Sequence, residues 1–321
     1  MDYKSSGVDI DAGNKAVNLI KNNVKKTFNS NVLNSLGSFA AMYELPKLKN
    51  PVLVSCTDGV GTKLKIAIDE GINDTVGIDL VAMSVNDLIC CGAKPLFFLD
   101  YIACHKNVPE QIKEIVDGIV EGCEQSECAL IGGEMAEMND LYKDGDYDLA
   151  GFAVGVVEKD ERIDGSKIAP GNYVYGLASS GVHSNGYSLL RKVLTKDVCE
   201  KYGLSAKDLL VPTKIYVKEI LGLVSQKCVN GIAHITGGGL AENLERILPE
   251  GVNIKINKSK IKTPKIFEII KEAGSIKETE MFRVFNMGVG MVVITSKELP
   301  ESEDITLLGM VEAGSKGVTV V

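Results

Sequence analysis

Ser55-Cys56-Thr57-Asp58-Gly59-Val60-Gly61-Thr62-Lys63 is the stretch on which the reading of the fold turns. It follows Pro51-Val52-Leu53-Val54, a short apolar run that reads as a buried strand, and it precedes residues 64–69, which read as a helical turn or helix. An acid, two glycines, a hydroxyl and a lysine therefore sit where a strand ends. Glycine lets the backbone come close to a ligand. A carboxylate held at such a place suits a metal ion, and a lysine nearby suits phosphate. The combination points to nucleotide chemistry, although a glycine turn with a solvated acid and base has the same pattern. The stretch is not a Walker loop, because no G-x-x-x-x-G-K-[ST] occurs. It is not a Rossmann fingerprint either, because Leu64 stands where the third glycine would fall.

Outward from this stretch, strand-like and helix-like segments alternate. Residues 52–55, 96–104, 128–132, 149–157, 173–178, 252–256, 288–295 and 305–311 read as strands. Ile112, Ile115, Val116, Ile119, Val120 and Cys123 recur at helical spacing, and Ile215, Val217, Ile220, Leu221 and Val224 suggest another helix. Residues 159–172 are charged, end in Pro170-Gly171-Asn172 and break the pattern near the middle. A length of 321 residues suits about two domains. The expectation is an α+β chain with an N-terminal domain over 1–168 and a C-terminal α/β domain over 169–321.

Hydrophobic content of 45% and charged content of 24% are those of an ordinary globular protein. No uninterrupted apolar stretch suits a membrane span, and the first ten residues lack the layout of a signal peptide. A cytoplasmic protein is expected. Eight cysteines form no C-x-x-C pair, so reduced thiols are expected and structural zinc is not. A net charge of −8 with no long basic run argues against nucleic-acid binding. Small anionic ligands stay open, because glycine loops and metal ions hold them locally.

Further sites support this reading. In Gly77–Gly92, a segment that reads as a helix apolar nearly all round, Asp79, Asn86 and Asp87 fall on one side. Buried carboxylates need a basic partner or a divalent cation, and magnesium prefers such oxygen ligands. Gly132-Gly133-Glu134 repeats the pattern of a strand ending in glycine and acid. Ser179-Ser180-Gly181-Val182-His183-Ser184-Asn185-Gly186 precedes a helix-like run and can form an anion-binding nest, with His183 among small polar neighbours and expected to be accessible. Thr236-Gly237-Gly238-Gly239 precedes another helix, whose N-terminus can hold phosphate.

Taken in order, these motifs resemble the phosphoribosylformylglycinamidine cyclo-ligase family. The resemblance runs from about Tyr3-Lys4 to the C-terminus. It adds Gly7-Val-Asp-Ile-Asp-Ala-Gly13, Pro95-Leu-Phe-Phe-Leu-Asp-Tyr101, Ala136-Glu-Met138, Tyr147-Asp148, Phe285-Asn286 and Gly288-Val-Gly-Met291 to the stretches above. One departure is Asn139, where the family usually has proline. The resemblance implies an enzyme that uses ATP and Mg2+ to close the imidazole ring of aminoimidazole ribonucleotide. It implies a homodimer whose N-terminal halves form a β-barrel across the interface, with ATP near it. Asp58, Asp87 and Glu134 then become candidates for metal, and Asp58, Asp87 and His183 for catalysis. Lys21, Gly59, Gly61, Thr62, Lys63, Asp79 and Asn86 become candidates for the nucleotide. Ser184, Asn185, Thr236, Gly237 and Gly238 become candidates for the ribonucleotide. Another enzyme of the same fold, acting on selenide or thiamine phosphate, is the alternative. The first 55 residues contain no cysteine, which weighs against the selenide version. A nucleotide-binding scaffold without chemistry is the third reading.

Overall fold

In the computed structural model, which describes residues 7–34 and 36–321, two sheets organise the chain. Tyr3 and Lys4 lie outside the described residues. One compact unit holds the chain up to Leu88 together with Lys94–Lys159, and the other holds Ile89–Ala93 and Asp160–Val321.

The first unit contains α1 (Ile10–Val24), β1 (Pro51–Gly59), α2 (Leu64–Glu70), α3 (Val76–Cys90), β2 (Lys94–Cys104), α4 (Pro109–Gln125), β3 (Ala129–Glu137) and β4 (Tyr147–Glu158). Its sheet has the order β1-β4-β2-β3. The β1–β4 and β2–β4 pairs are antiparallel, and β2–β3 is parallel. Helix α1 starts at Asp9, whose carboxylate accepts from the Asp11 and Ala12 N–H groups. It lies against α4, where the Asn23 amide donates to Asp117 at 2.6 Å. Helix α4 buries Ile112, Ile115, Val116, Ile119, Val120 and Cys123, the apolar face read from the sequence.

Helices α3 and α4 touch backbone to backbone. A Cβ on Gly77 would lie 2.3 Å from the Ile115 oxygen, and one on Gly118 would lie 2.5 Å from the Asp74 oxygen. Alanine is the better helix former. Here, however, Gly77→Ala is expected to destabilise the unit by about 1–3 kcal/mol, the usual cost of overpacking. Denaturant unfolding checks this, and unchanged stability would show that the two helices can part.

One face of the sheet is covered. Cys56 donates to the Ser84 carbonyl of α3, and a Cβ on Gly151 would collide with Phe98 and Leu80. The opposite face keeps large apolar side chains exposed, with Leu53 at 58%, Phe152 at 42% and Tyr101 at 40%. Strand β1 alternates between exposed and half-buried residues along most of its length, as a one-sided strand does.

The second unit contains β5 (Tyr173–Ala178), α5 (Tyr187–Val193), α6 (Lys196–Tyr202), α7 (Ala206–Leu209), α8 (Val217–Ser225), β6 (Val229–His234), α9 (Gly239–Ile247), β7 (Val252–Ile256), α10 (Lys265–Ala273), α11 (Glu278–Val284), β8 (Val289–Thr295), β9 (Ile305–Ala313) and β10 (Gly317–Val320). Its sheet has the order β10-β7-β9-β5-β8-β6, antiparallel except for the β10–β7 pair. Val174, Leu244, Ile254, Val292, Ile294 and Leu308 anchor its core. Strand β8 is buried at every position, so it reads as a continuous apolar run.

Candidate active site

Strand β1 does not end before the acid. It runs through Asp58 to Gly59. Asp58 faces Gly151 of β4, which also faces Asp100 of β2, which in turn faces Gly133 of β3. Residues in register share a face, so Asp58 and Asp100 lie on the helix-covered side of the sheet. Asp58 is half-buried, and its carboxylate accepts the Gly59 N–H at 2.7 Å. Thr62 is exposed, and so is Gly61, whose φ of +73 suits glycine in the turn that follows.

Strand β3 likewise does not stop at its glycines but continues to Glu137. Gly133 is needed for space, because a Cβ there would lie 2.0 Å from the Asp100 carboxylate. Glu134 pairs in register with Tyr101, one position on, and therefore lies on the opposite, uncovered face. A single copy of the sheet thus places Asp58 and Glu134 on different sides. Among the described residues no group of three or more His, Cys, Asp or Glu side chains is gathered to hold a metal. The donors are nevertheless hard oxygens at accessible or half-buried positions. Magnesium held partly by substrate phosphates needs only one or two of these, so the residues fit that mode and not an all-protein cage.

Asp100 was read only as part of an apolar strand, and its charge within that strand was the available signal. Burial pushes its carboxyl up to about 7, a backbone hydrogen bond opposes the rise and the charge of Glu134 adds to it. The folded state therefore keeps the proton while the unfolded state, near 4, loses it. Stability is expected to fall as pH rises from about 4 to about 7 and then to level off. Asp100→Asn should flatten that fall in metal-free protein, as thermal unfolding across pH will show. A parallel decline in the variant would assign the slope to other groups.

Lys63 and Asp79 depart from the phosphate-binding expectation. Both are fully buried, with the Lys63 ammonium 2.8–2.9 Å from the Asp79 carboxylate oxygens. Burial lowers the Lys63 pKa, and Asp79 opposes that lowering. They form an internal ion pair that fixes the turn after Asp58 to α3. On α3 itself Asn86 is buried and Asp87 exposed, so the expected pair of buried acids is a single one, matched by lysine. Lys21 is exposed on the last turn of α1. Asn139 lays its amide over Gly7, where φ is +100.

In the second unit, His183 is buried at 1% exposure, contrary to the accessible position expected. Its φ is +63, and its Nε2 accepts the Ser180 N–H at 3.1 Å. That bond places a lone pair on Nε2 and, in the neutral ring, the proton on Nδ1. The ring packs on Gly290 beside Tyr216, whose centroid is 6.3 Å away. The absence of a side chain at Gly290, where a Cβ would lie 2.4 Å from the ring, and the tight 180–183 turn explain the burial.

Ser184 and Asn185 stay half-buried. Ser184 shares a 2.9 Å hydrogen bond with Thr213, and Asn185 Oδ1 accepts the Gly237 N–H at 3.1 Å. The two glycine-rich stretches of this unit are thereby brought together. Thr236 and Gly238 are half-buried and Gly237 is exposed. The first turn of α9 carries Glu242, which meets Arg283 at 3.4 Å.

Family comparisons extend this geometry. The AIR synthase related protein N-terminal domain matches residues 37–157, and the AIR synthase related protein C-terminal domain matches residues 169–314. The phosphoribosylformylglycinamidine cyclo-ligase of Fusobacterium nucleatum is 55% identical over 316 residues, covering 96% of this chain and 93% of the relative. That of Clostridium tetani is 52% identical over 329 residues, covering 99% of each. Among solved structures, the thiamine-monophosphate kinase of Stenotrophomonas maltophilia superposes with a TM-score of 0.66 at 16% identity, covering 94% of this chain and 95% of the other. The hydrogenase maturation protein HypE in complex with ATP superposes with a TM-score of 0.65 at 14% identity, covering 94% and 90%. At such identities these structures share the fold alone.

Proposed function

The chain belongs to the phosphoribosylformylglycinamidine cyclo-ligase family, and from that premise we propose how its residues divide the reaction. It is an aminoimidazole ribonucleotide synthetase of purine biosynthesis. The observation that carries this is full-length identity above one half to cyclo-ligases, against fold-level likeness to a thiamine-monophosphate kinase at 16% identity.

ATP phosphorylates the formyl amide oxygen of formylglycinamidine ribonucleotide. A nitrogen of the substrate then attacks the activated carbon and expels phosphate, leaving the closed ring, ADP and phosphate. In our reading the first unit handles the nucleotide. Asp58 or Asp87 would hold Mg2+ on its phosphates, Glu134 being on the opposite face of the sheet, and Lys21 would add positive charge. Bound there, the metal supplies charge neutralisation at the transferring phosphoryl group. Half-buried Gly59 at the end of β1 and the exposed Gly61 and Thr62 after it offer close backbone approach, while the Lys63–Asp79 pair ties that turn to α3, in which Asn86 is buried. The second unit handles the ribonucleotide through Ser184, Asn185, Thr236, Gly237 and Gly238. Their part is to keep the attacking nitrogen near the activated carbon. His183 Nε2 is engaged by the Ser180 N–H, so we assign it to shaping this loop and not to proton transfer.

The uncovered sheet face, with Leu53, Tyr101 and Phe152, is proposed to pair with a second copy in a β-barrel homodimer. That pairing would surround Glu134, which one copy leaves on the outer face. Phe152→Lys is expected to give a monomer that loses activity, as sedimentation and turnover together will show. A fully active monomer would refute the pairing. The eight free thiols suit a reducing compartment, and the cytoplasm is the proposed setting.

The deciding experiment is a coupled assay with ATP, Mg2+ and formylglycinamidine ribonucleotide. ADP and aminoimidazole ribonucleotide should appear in equal amounts, and only when all three are present. ADP release without ring closure would overturn the assignment.

A further inference from the structure

Beneath the Ser179–Gly186 stretch lies Asn286, 3% exposed, at the corner just before β8. Its side chain spends all its hydrogen-bonding capacity on backbone and one hydroxyl. Oδ1 accepts from Ser179 Oγ at 3.0 Å and from the Gly288 N–H at 2.8 Å. Nδ2 donates to the Gly181 carbonyl at 2.9 Å and to the Val182 carbonyl at 3.3 Å. The backbone it joins is unusual on both sides. Gly181 and His183 have φ of +148 and +63, and Met287 and Gly288 have +52 and +106. Such conformations persist only where surrounding structure holds them. The second loop has a counterpart. Asn243, 4% exposed, donates from Nδ2 to the carbonyls of Thr236, Gly237 and Gly239 at 3.3, 3.2 and 2.8 Å. Asn185 Oδ1 then latches one loop to the other through the Gly237 N–H.

We propose that Asn286 and Asn243 are positioning residues for the cyclisation, two buried amides that hold the loops of the ribonucleotide site in register. This rests on the assignment of those loops to the ribonucleotide. A side-chain amide is the group that fits, because it presents donors and acceptors from one rigid plane. Aspartate keeps the shape but sets a carboxylate oxygen against the Gly181 and Val182 carbonyls. With Asn185 Oδ1 engaged in the latch, its Nδ2 is the atom left to meet substrate, so a loop shift changes the direction of a specific donor.

The test measures both Michaelis constants for the full-length chain and for N286A, N286D and N243A. Loop misplacement should raise the KM for formylglycinamidine ribonucleotide about tenfold or more and lower kcat, while the KM for ATP stays within twofold. N286D should recover relative to wild type as pH falls, because the protonated acid regains one donor for the Gly181 carbonyl. N286D also carries the test should N286A fail to fold. Lower kcat with both KM values unchanged means that only the folded fraction fell, and it overturns the proposal. Equal rises in both KM values overturn it as well. A wild-type chain that does not cyclise the ribonucleotide would overturn the functional assignment itself, and the positioning roles with it.

Discussion

Lys63→Met is expected to destabilise the first unit by about 3–5 kcal/mol, enough to unfold a domain of ordinary stability. The change removes the ammonium that lies 2.8–2.9 Å from the Asp79 carboxylate and leaves that fully buried acid facing an apolar side chain. The loss comes mainly from the stranded charge and only in small part from the pair itself. Desolvating two ions costs several kcal/mol each, and their attraction roughly repays it. The double change Lys63→Met with Asp79→Leu should therefore restore most of the stability, because neither ion is then stranded. Urea unfolding of the two single variants and the double variant checks the prediction. A double variant no more stable than Lys63→Met would mean that the cost lies in packing around α3. The same cycle bears on function. If the pair is structural, the refolded double variant keeps a nucleotide KM close to that of the wild type. If Lys63 contacts phosphate, ATP binding is lost although the fold returns.

Asp58→Asn is expected to lower cyclisation by at least about a hundredfold, a loss of the size seen when one preorganised charge-stabilising group is removed from an active site. Asparagine keeps an oxygen for the Gly59 N–H, so the end of β1 should stay folded. What disappears is the negative charge that would hold Mg2+ against the phosphates. The variant should therefore also need more Mg2+ to reach half its maximal rate, and ADP and ring-closed product should fall together. Turnover close to wild type at saturating ATP would remove Asp58 from the metal site and shift attention to Asp87.

The strands were legible wherever burial on one or both faces left an apolar or alternating pattern, as in β2, β4 and β8. Strand β10 was not, because four residues at a sheet edge carry too little pattern. The glycines misled in one respect. Gly59 does end β1, but Gly133, read as a strand end, lies within β3 and leaves room for the Asp100 carboxylate. The partner of Asp79 was also beyond local reading. Lys63 lies 16 positions away, and only the packing of the post-strand turn on α3 joins them. Likewise, a run of small polar residues gives no sign that His183 is tucked beneath them. The buried amides Asn243 and Asn286 were present within or beside recognised motifs. Their roles required knowing which carbonyls lay within reach.

The close approach of α3 and α4 at Gly77 and Gly118 has a consequence for mutational tolerance. In a saturation scan scored by growth without purines, both positions should accept glycine alone, as strictly as any residue that meets substrate. A Cβ at either meets backbone atoms at 2.3–2.5 Å, and backbone cannot rotate aside as a side chain does. Intolerance at those sites would record helix spacing, not chemistry. Sorting it from the intolerance expected at Asp58 needs a second score, the amount of folded protein, in which the glycine variants fall and the aspartate variants do not.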